Sequence, residues 1–162
     1  MKTQRGAVLI VSLVFLMLLT LLATSSMQNA TLQEKVAGGL ALRDASFQLA
    51  EAVLRTAEAR ILTPGFSQAE CSTPLTCLPP AEALTLSGGG AGGASGVRWM
   101  TGSGGFFGIQ HLGEAEDPAG AGGNLQPQRL YRVTAVGIHG TSRTVLESIH
   151  TEERRIMWRQ RQ

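Results

Sequence analysis

The apolar stretch near the start of the chain, "QRGAVLIVSLVFLMLLTLLATSSM", runs from Gln4 to Met27. Ala7 to Ala23 is apolar apart from Ser12 and Thr20. Such a run lies at the short limit of a membrane-spanning helix, which needs about 20 residues. Basic residues precede it, and this bias keeps the N-terminus cytoplasmic and sends the following chain outward. The stretch therefore predicts a helix that inserts into a membrane.

Three roles are open for this helix. It could be a secretory signal that is removed, a membrane anchor that is retained, or a segment that serves first as a signal and then as an anchor. The apolar run is longer than the usual core of a signal peptide, and its length favours a retained anchor. A signal peptidase site would fall at "ATS", Ala23 to Ser25, which offers only small residues. An exported enzyme or binding protein, and an uncut single-pass anchor, are alternatives at this stage.

A second, amphipathic helical segment follows directly. Residues from about Thr31 to Leu62 are rich in Ala, Leu, Glu and Arg, and no proline occurs before Pro64. Apolar side chains recur every seven residues, at Leu40, Phe47, Leu54 and Ile61. This spacing predicts one apolar stripe, which we expect to pack against a sheet. The opposite, charged face includes Glu51, Arg55 and Glu58.

The sequence of the remaining chain, residues 63–162, predicts loops and strands. Pro64-Gly65 ends the helix. The stretches "SGGGAGGASG" (87–96), "GSGGFFG" (102–108) and "PAGAGG" (118–123) are glycine-rich and predict flexible loops. Between them "VRWM" (97–100) predicts a strand.

A hairpin is predicted near the C-terminus. In "RLYRVTAVG" (129–137), Tyr131, Val133 and Ala135 alternate with residues of the other face. "RTVLESIH" (143–150) is the second strand, and "IHGTS" between them is the turn. One face of the hairpin would lie on the helix stripe. The expected fold class is α+β, with a long helix packed on a small antiparallel sheet.

The two cysteines, Cys71 and Cys77, predict a short-loop disulfide if this part of the chain is exported. A metal site is not expected there, because two thiols without a nearby histidine supply only half of a zinc ligand set. The loop "EAED", Glu114 to Asp117, is interpreted as solvated rather than as a calcium site.

No set of catalytic residues is apparent, so we expect neither an enzyme nor a cofactor. No nucleophile has a general base at a meaningful spacing. The histidines, His111, His139 and His150, are predicted at the surface or in turns. Net charge is only +2, which does not favour nucleic-acid binding. The locally basic tail "TEERRIMWRQRQ" (151–162) is interpreted as a solvated face.

Several segments resemble type IV pilin-like proteins, and most closely PilX-like minor pilins. They are the basic leader "MKTQRG", the apolar run after it, and "TLQEKVAGGLALRDASFQLAEAVLRTAEA" (31–59). The segment "YRVTAVGIHGTSRTVLESI" (131–149) is similar to the closing strands of that family. The middle of the chain carries no resemblance.

The resemblance implies a domain plan and a processing step. Residues 1–6 would be a leader that an aspartyl prepilin peptidase removes between Gly6 and Ala7, after which the new amino group is methylated. Residues 7–27 would be the membrane and filament-core helix, residues 28–62 its amphipathic continuation, and residues 63–162 a globular pilin head. The implied location is the bacterial inner membrane, with the C-terminus in the periplasm, and later the cell-surface pilus.

Two positions depart from the family pattern. Ala7 stands where pilins usually have phenylalanine, and Val11, the fifth mature residue, stands where most have glutamate. That glutamate is thought to meet the amine of a neighbouring subunit, and a buried charge without its partner is costly. A subunit with no neighbour above it needs no such carboxylate, so Val11 favours a tip or initiating subunit.

The resemblance thus implies a structural minor pilin that primes pilus assembly, with adhesion and twitching motility as consequences. Implied partners are other minor pilins, the major pilin, a tip adhesin and the prepilin peptidase. The alternative from the same filament class is a tip-type pseudopilin of type II secretion.

Overall fold

The computed structural model describes residues 5–91, 93–116, 118 and 127–161. Helix α1 spans Arg5–Ile61. The chain divides into two compact units, Met1–Ala41 and Leu42–Gln162. In the first unit, every side chain from residue 7 to residue 41 is exposed. The second unit contains the end of α1 and all of the strands.

The second unit is built on one antiparallel sheet of six strands, in the spatial order β1-β2-β3-β4-β5-β6. The strands are β1 Gly90–Ala91, β2 Arg98–Gly102, β3 Gly105–Ala115, β4 Gln128–His139, β5 Ser142–His150 and β6 Arg155–Arg161. A short helix α2, Pro74–Cys77, and a 3₁₀ turn, Ala81–Leu84, precede the sheet. A long helix followed by an antiparallel sheet confirms the predicted α+β, pilin-like arrangement.

The predicted C-terminal hairpin is present as β4 and β5. Val136 pairs with Val145, and the strands turn through Gly140, whose φ of 57° suits glycine. The predicted alternation is also correct. Tyr131 and Val133 lie in the core on the α1 side of the sheet, whereas Val136 lies in a second core on the other side.

The core on the α1 side joins the last turns of α1 to three strands. Its helical members include Leu54 and Ile61, and Phe47 packs at its edge. The predicted stripe also contains Leu40, but Leu40 is 60% exposed and is not part of this core. The prediction is therefore wrong at that position, because a heptad pattern fixes a helix face but not the length over which it is covered.

The second core lies on the opposite face of the sheet, beneath the 3₁₀ turn. It contains Ala83, Val97, Trp99, Val136 and Val145. The sheet is thus covered on both faces, so its central strands bury both sets of alternating side chains.

Two glycine stretches differ from the prediction of flexible loops. "GSGGFFG" forms the tight turn between β2 and β3, with Gly104 at φ 84°, and continues into β3. Gly108 is needed inside β3 because an added Cβ would lie 2.2 Å from Val97 Cγ1. Part of "SGGGAGGASG" forms β1, which pairs with β2. The prediction for residues 118–123 falls almost wholly outside the described residues.

A glycine of β4 sets how closely α1 approaches the sheet. A Cβ on Gly137 of β4 would lie 2.2 Å from Ser46 O and 2.3 Å from Ala50 N. The helix backbone therefore rests directly on the strand backbone at this point. Beside it, Ser46 Oγ lies 2.8 Å from Thr144 Oγ1, so the buried hydroxyls satisfy each other.

Candidate functional site

The first functional feature is the apolar part of α1. Among the described residues, one helix is long and apolar enough to cross a membrane, and it is this one. Its large side chains are uncovered: Val8, Leu16 and Leu22 are between 65% and 69% exposed. The sequence contains no Asp, Glu, Lys or Arg between Arg5 and Glu34. A surface of this size and composition requires an apolar environment.

Three hydroxyl side chains of this segment form hydrogen bonds within the helix. Ser12 Oγ donates to Leu9 O at 2.9 Å, and Thr20 Oγ1 donates to Met17 O at 2.8 Å. Thr24 makes the same kind of bond. Because these hydroxyls already have partners, they add little to the cost of placing the helix in hydrocarbon.

The residues of the predicted processing site lie at the start of α1. Gly6 and Ala7 belong to its first turn, and Val11 lies one turn further, 66% exposed. Cleavage between Gly6 and Ala7 stays a prediction, as does the role of Val11.

The second feature is a buried ion pair between the end of α1 and the last strand, β6. Glu58, 7% exposed, accepts hydrogen bonds from Arg155 Nε at 2.8 Å and Arg155 Nη2 at 2.5 Å. Ser148 Oγ donates to the same carboxylate at 2.6 Å. The hydrogen bond to Glu58 raises the pKa of Arg155 above its ordinary value.

The sequence prediction placed Glu58 on the charged face of the helix, opposite the apolar stripe, and this is wrong because Glu58 is buried. Glu58 stands four residues after Leu54 and three before Ile61, so it borders the apolar stripe. This spacing is the feature of the sequence that could have placed Glu58 at the edge of the core. Its partner could not be found in this way, because Arg155 is 97 residues away.

A second buried carboxylate lies on the opposite face of the sheet. Glu147, 3% exposed, accepts from Arg159 Nε and Nη2 at 3.0 and 2.8 Å and from Arg161 Nη1 at 3.2 Å. Arg155, Arg159 and Arg161 all belong to β6, the strand formed by the basic tail. Most residues of the tail are exposed, as predicted, but its arginines also form ion pairs with the two buried carboxylates.

The disulfide between Cys71 and Cys77 is present, and their Cα atoms are 5.2 Å apart. Arginines of the sheet donate hydrogen bonds to backbone carbonyls at and after Cys77, and these bonds attach the segment to the sheet. Arg132 Nη1 donates to Cys77 O at 2.5 Å, and Arg161 Nη1 donates to Pro80 O at 2.8 Å. Arg132 is half-buried, and this burial lowers the pKa of its guanidinium.

Two of the three histidines are buried, contrary to the prediction of surface or turn positions. His111 is 8% exposed, stacks on Tyr131 and places Nδ1 3.2 Å from Gln68 O. His150 is 3% exposed, and its Nδ1 bonds to Thr151 O. His139 is exposed at the β4–β5 turn. Within the described residues, no group of three or more His, Cys, Asp or Glu could hold a metal ion.

The long helix and the antiparallel sheet form a pilin-like arrangement, and the apolar part of the helix is a candidate membrane span. Residues 5–55 match the protein-family model described as PilX N-terminal, which is consistent with a PilX-like type IV pilin. This confirms the resemblance over the apolar run and most of its amphipathic continuation, less than a third of the chain. No curated protein and no solved structure matches the chain.

The match supports a family of structural pilins and is consistent with membrane anchoring. It ends at residue 55, so it includes none of the strands and neither buried ion pair.

Proposed function

We propose that the chain is a minor pilin of a type IV pilus that primes assembly and sits at or near the tip. In this proposal it is a structural protein without catalytic activity. It is first anchored in the inner membrane with its C-terminus in the periplasm, and later becomes part of the surface pilus. Its partners are other minor pilins, the major pilin and a tip adhesin.

The observation that carries the proposal is the charge-free, fully uncovered helix from Ala7 to Gln33, in a segment that matches the PilX N-terminal family. Such a helix is stable in a bilayer, and it is equally stable in a bundle of similar helices, because both remove the same apolar surface from water. Transfer from membrane to filament therefore costs little free energy. Bundled apolar helices are the core that this class of filament requires.

The tip position is argued from Val11. A carboxylate in an apolar bundle is tolerated when the amine of a neighbouring subunit pairs with it. Val11 has no carboxylate that could pair with such an amine. A subunit that begins the filament has no subunit above it whose amine needs a partner. The second unit, which contains the sheet, would then be presented at the end of the fibre.

The test is the location of the protein on sheared pili. A tag at the C-terminus, detected with gold particles in the electron microscope, should label pilus ends and not the shaft. Removing the gene should reduce the number of pili. Label spread evenly along the shaft would contradict the tip position, and normal piliation without the gene would contradict the priming role.

A tip-type pseudopilin of type II secretion is a second candidate, because the Val11 argument applies to it equally. The two differ in their consequences. A pseudopilin is needed for export of folded enzymes from the periplasm, whereas the pilin proposed here is needed for surface pili. Assaying both phenotypes in one deletion strain separates them.

A further inference from the structure

The face of the sheet opposite α1 carries an excess of positive charge. Strands β4, β5 and β6 place four arginines and one carboxylate there: Arg132, Arg143, Arg159, Arg161 and Glu147. Arg143 and Arg161 donate to the carbonyls of Ala83 and Pro80. Carbonyl oxygens satisfy hydrogen bonds but carry no net charge. Among the described residues, Glu147 is the carboxylate that accepts hydrogen bonds from these guanidiniums.

A cavity of about 170 Å³ opens between two of these arginines. Arg132 and Arg159 line it together with Glu147, and the apolar side chains of Ile149 and Met157 form the rest of its wall. The strand register explains the grouping, because Arg132, Ile149 and Met157 stand in one row across β4, β5 and β6. The cavity is open to a ligand at β6, where Met157 is 48% exposed.

The two guanidiniums retain free donors. Arg132 uses Nη1 on Cys77 O and Gln110 Oε1, and Arg159 uses Nε and Nη2 on Glu147. Among the described residues, Nε and Nη2 of Arg132 and Nη1 of Arg159 have no acceptor. Guanidinium groups bind carboxylates and phosphates through such paired donors.

We propose that this cavity binds a carboxylate of an acidic protein segment, with an apolar residue of that segment packed on Met157. The small volume and the apolar wall fit a single carboxylate on a peptide. A nucleic acid would need a longer row of phosphate contacts than one cavity offers. The inference goes beyond the proposed function and does not depend on pilus assembly.

The test uses the purified full chain in non-ionic detergent and a dye-labelled peptide of alternating glutamate and leucine. Fluorescence anisotropy should show binding of this peptide and none of its glutamine analogue. Arg132→Gln and Arg159→Gln should each weaken binding by about tenfold, the effect of losing a charge-assisted hydrogen bond. Arg98→Gln is the matched control, because Arg98 is exposed on β2 and the substitution removes the same charge. This variant should bind the peptide with unchanged affinity.

Two further variants keep the test decisive if an arginine variant fails to fold. Met157→Asp changes an exposed side chain at the cavity mouth and should weaken binding by repulsion. Met157→Leu keeps an apolar side chain at the cavity wall and should leave binding unchanged. Absent binding, equal binding of the glutamine analogue, or equal loss with Arg98→Gln would overturn the proposal. Displacement of the peptide by oligothymidylate at lower concentration would overturn it in favour of phosphate.

Discussion

Glu58 of α1 and Arg155 of β6 form a bidentate ion pair across the core, and Ser148 of β5 donates to the same carboxylate. The side chains are 10% and 31% exposed, so the pair is largely shielded from water. It joins the end of the helix to the edge strand of the sheet. Removing one member leaves the other charge buried without a partner, which is the costly outcome for such pairs.

Glu58→Ala should therefore lower the free energy of unfolding by about 2 kcal/mol or more. Glu51→Ala is the matched control on the same helix, because the Glu51–Arg55 pair has side chains 37% and 70% exposed. The control should cost less than about 0.5 kcal/mol. Denaturant titration of the full chain in detergent, followed by tryptophan fluorescence, measures both. Equal losses would contradict a structural role for the Glu58 pair.

Gly137→Ala should destabilise the second unit by about 3 kcal/mol, because overpacking here pushes α1 off the sheet. The added methyl would lie against Ser46 O and Ala50 N, which are backbone atoms that cannot turn aside. Gly88→Ala is the control, since a Cβ there meets nothing within 4 Å. Thermal melts of the two variants make the comparison. A wild-type melting temperature for Gly137→Ala would mean that the helix does not rest on β4 at this point.

The position along α1 at which burial begins can be tested with one substitution at two sites. Leu54 is 1% exposed and Leu40 is 60% exposed, although both belong to the same heptad series. Leu54→Asp should abolish the cooperative transition, a loss of about 4 kcal/mol or more. Leu40→Asp should leave the melting temperature of the second unit unchanged. If Leu40→Asp unfolds the protein to the same extent, the assignment of the core is wrong.

The disulfide between Cys71 and Cys77 closes a loop with a sequence separation of six. A loop this short constrains the unfolded chain only modestly, so Cys71→Ser with Cys77→Ser should cost about 2 kcal/mol. Thiol reagents should label the wild-type protein only after reduction under denaturing conditions. Labelling of the folded protein without reductant would contradict the bridge.

Sequence periodicity predicted the elements that follow a regular pattern. The apolar run, the placement of Leu54 and Ile61 in the core, and the alternation of Tyr131 and Val133 all follow from the 3.6-residue and two-residue repeats. These repeats report which face of an element is apolar. They say nothing about where the covering structure ends, and for this reason Leu40 was assigned wrongly.

The candidate site was less predictable because it depends on pairs of residues far apart in the chain. Glu58 and Arg155 are 97 residues apart, and Glu147 meets Arg159 only through the register of β5 and β6. The sequence shows the positive charges of the tail, but it does not show which carboxylates pair with them. Likewise, glycine-rich composition indicated loops, whereas Gly108 and Gly137 are required because neighbouring atoms leave no room for a Cβ.

The central claim is that the leader is removed and the apolar helix is kept. The measurement that tests it most directly is the mature N-terminus of the chain, determined by mass spectrometry of membrane and sheared-pilus fractions, with and without the prepilin peptidase. We predict a protein that begins at Ala7 in both fractions and an uncut chain when the peptidase is absent. A start near Ser26, or an intact Met1 whether or not the peptidase is present, would contradict the account.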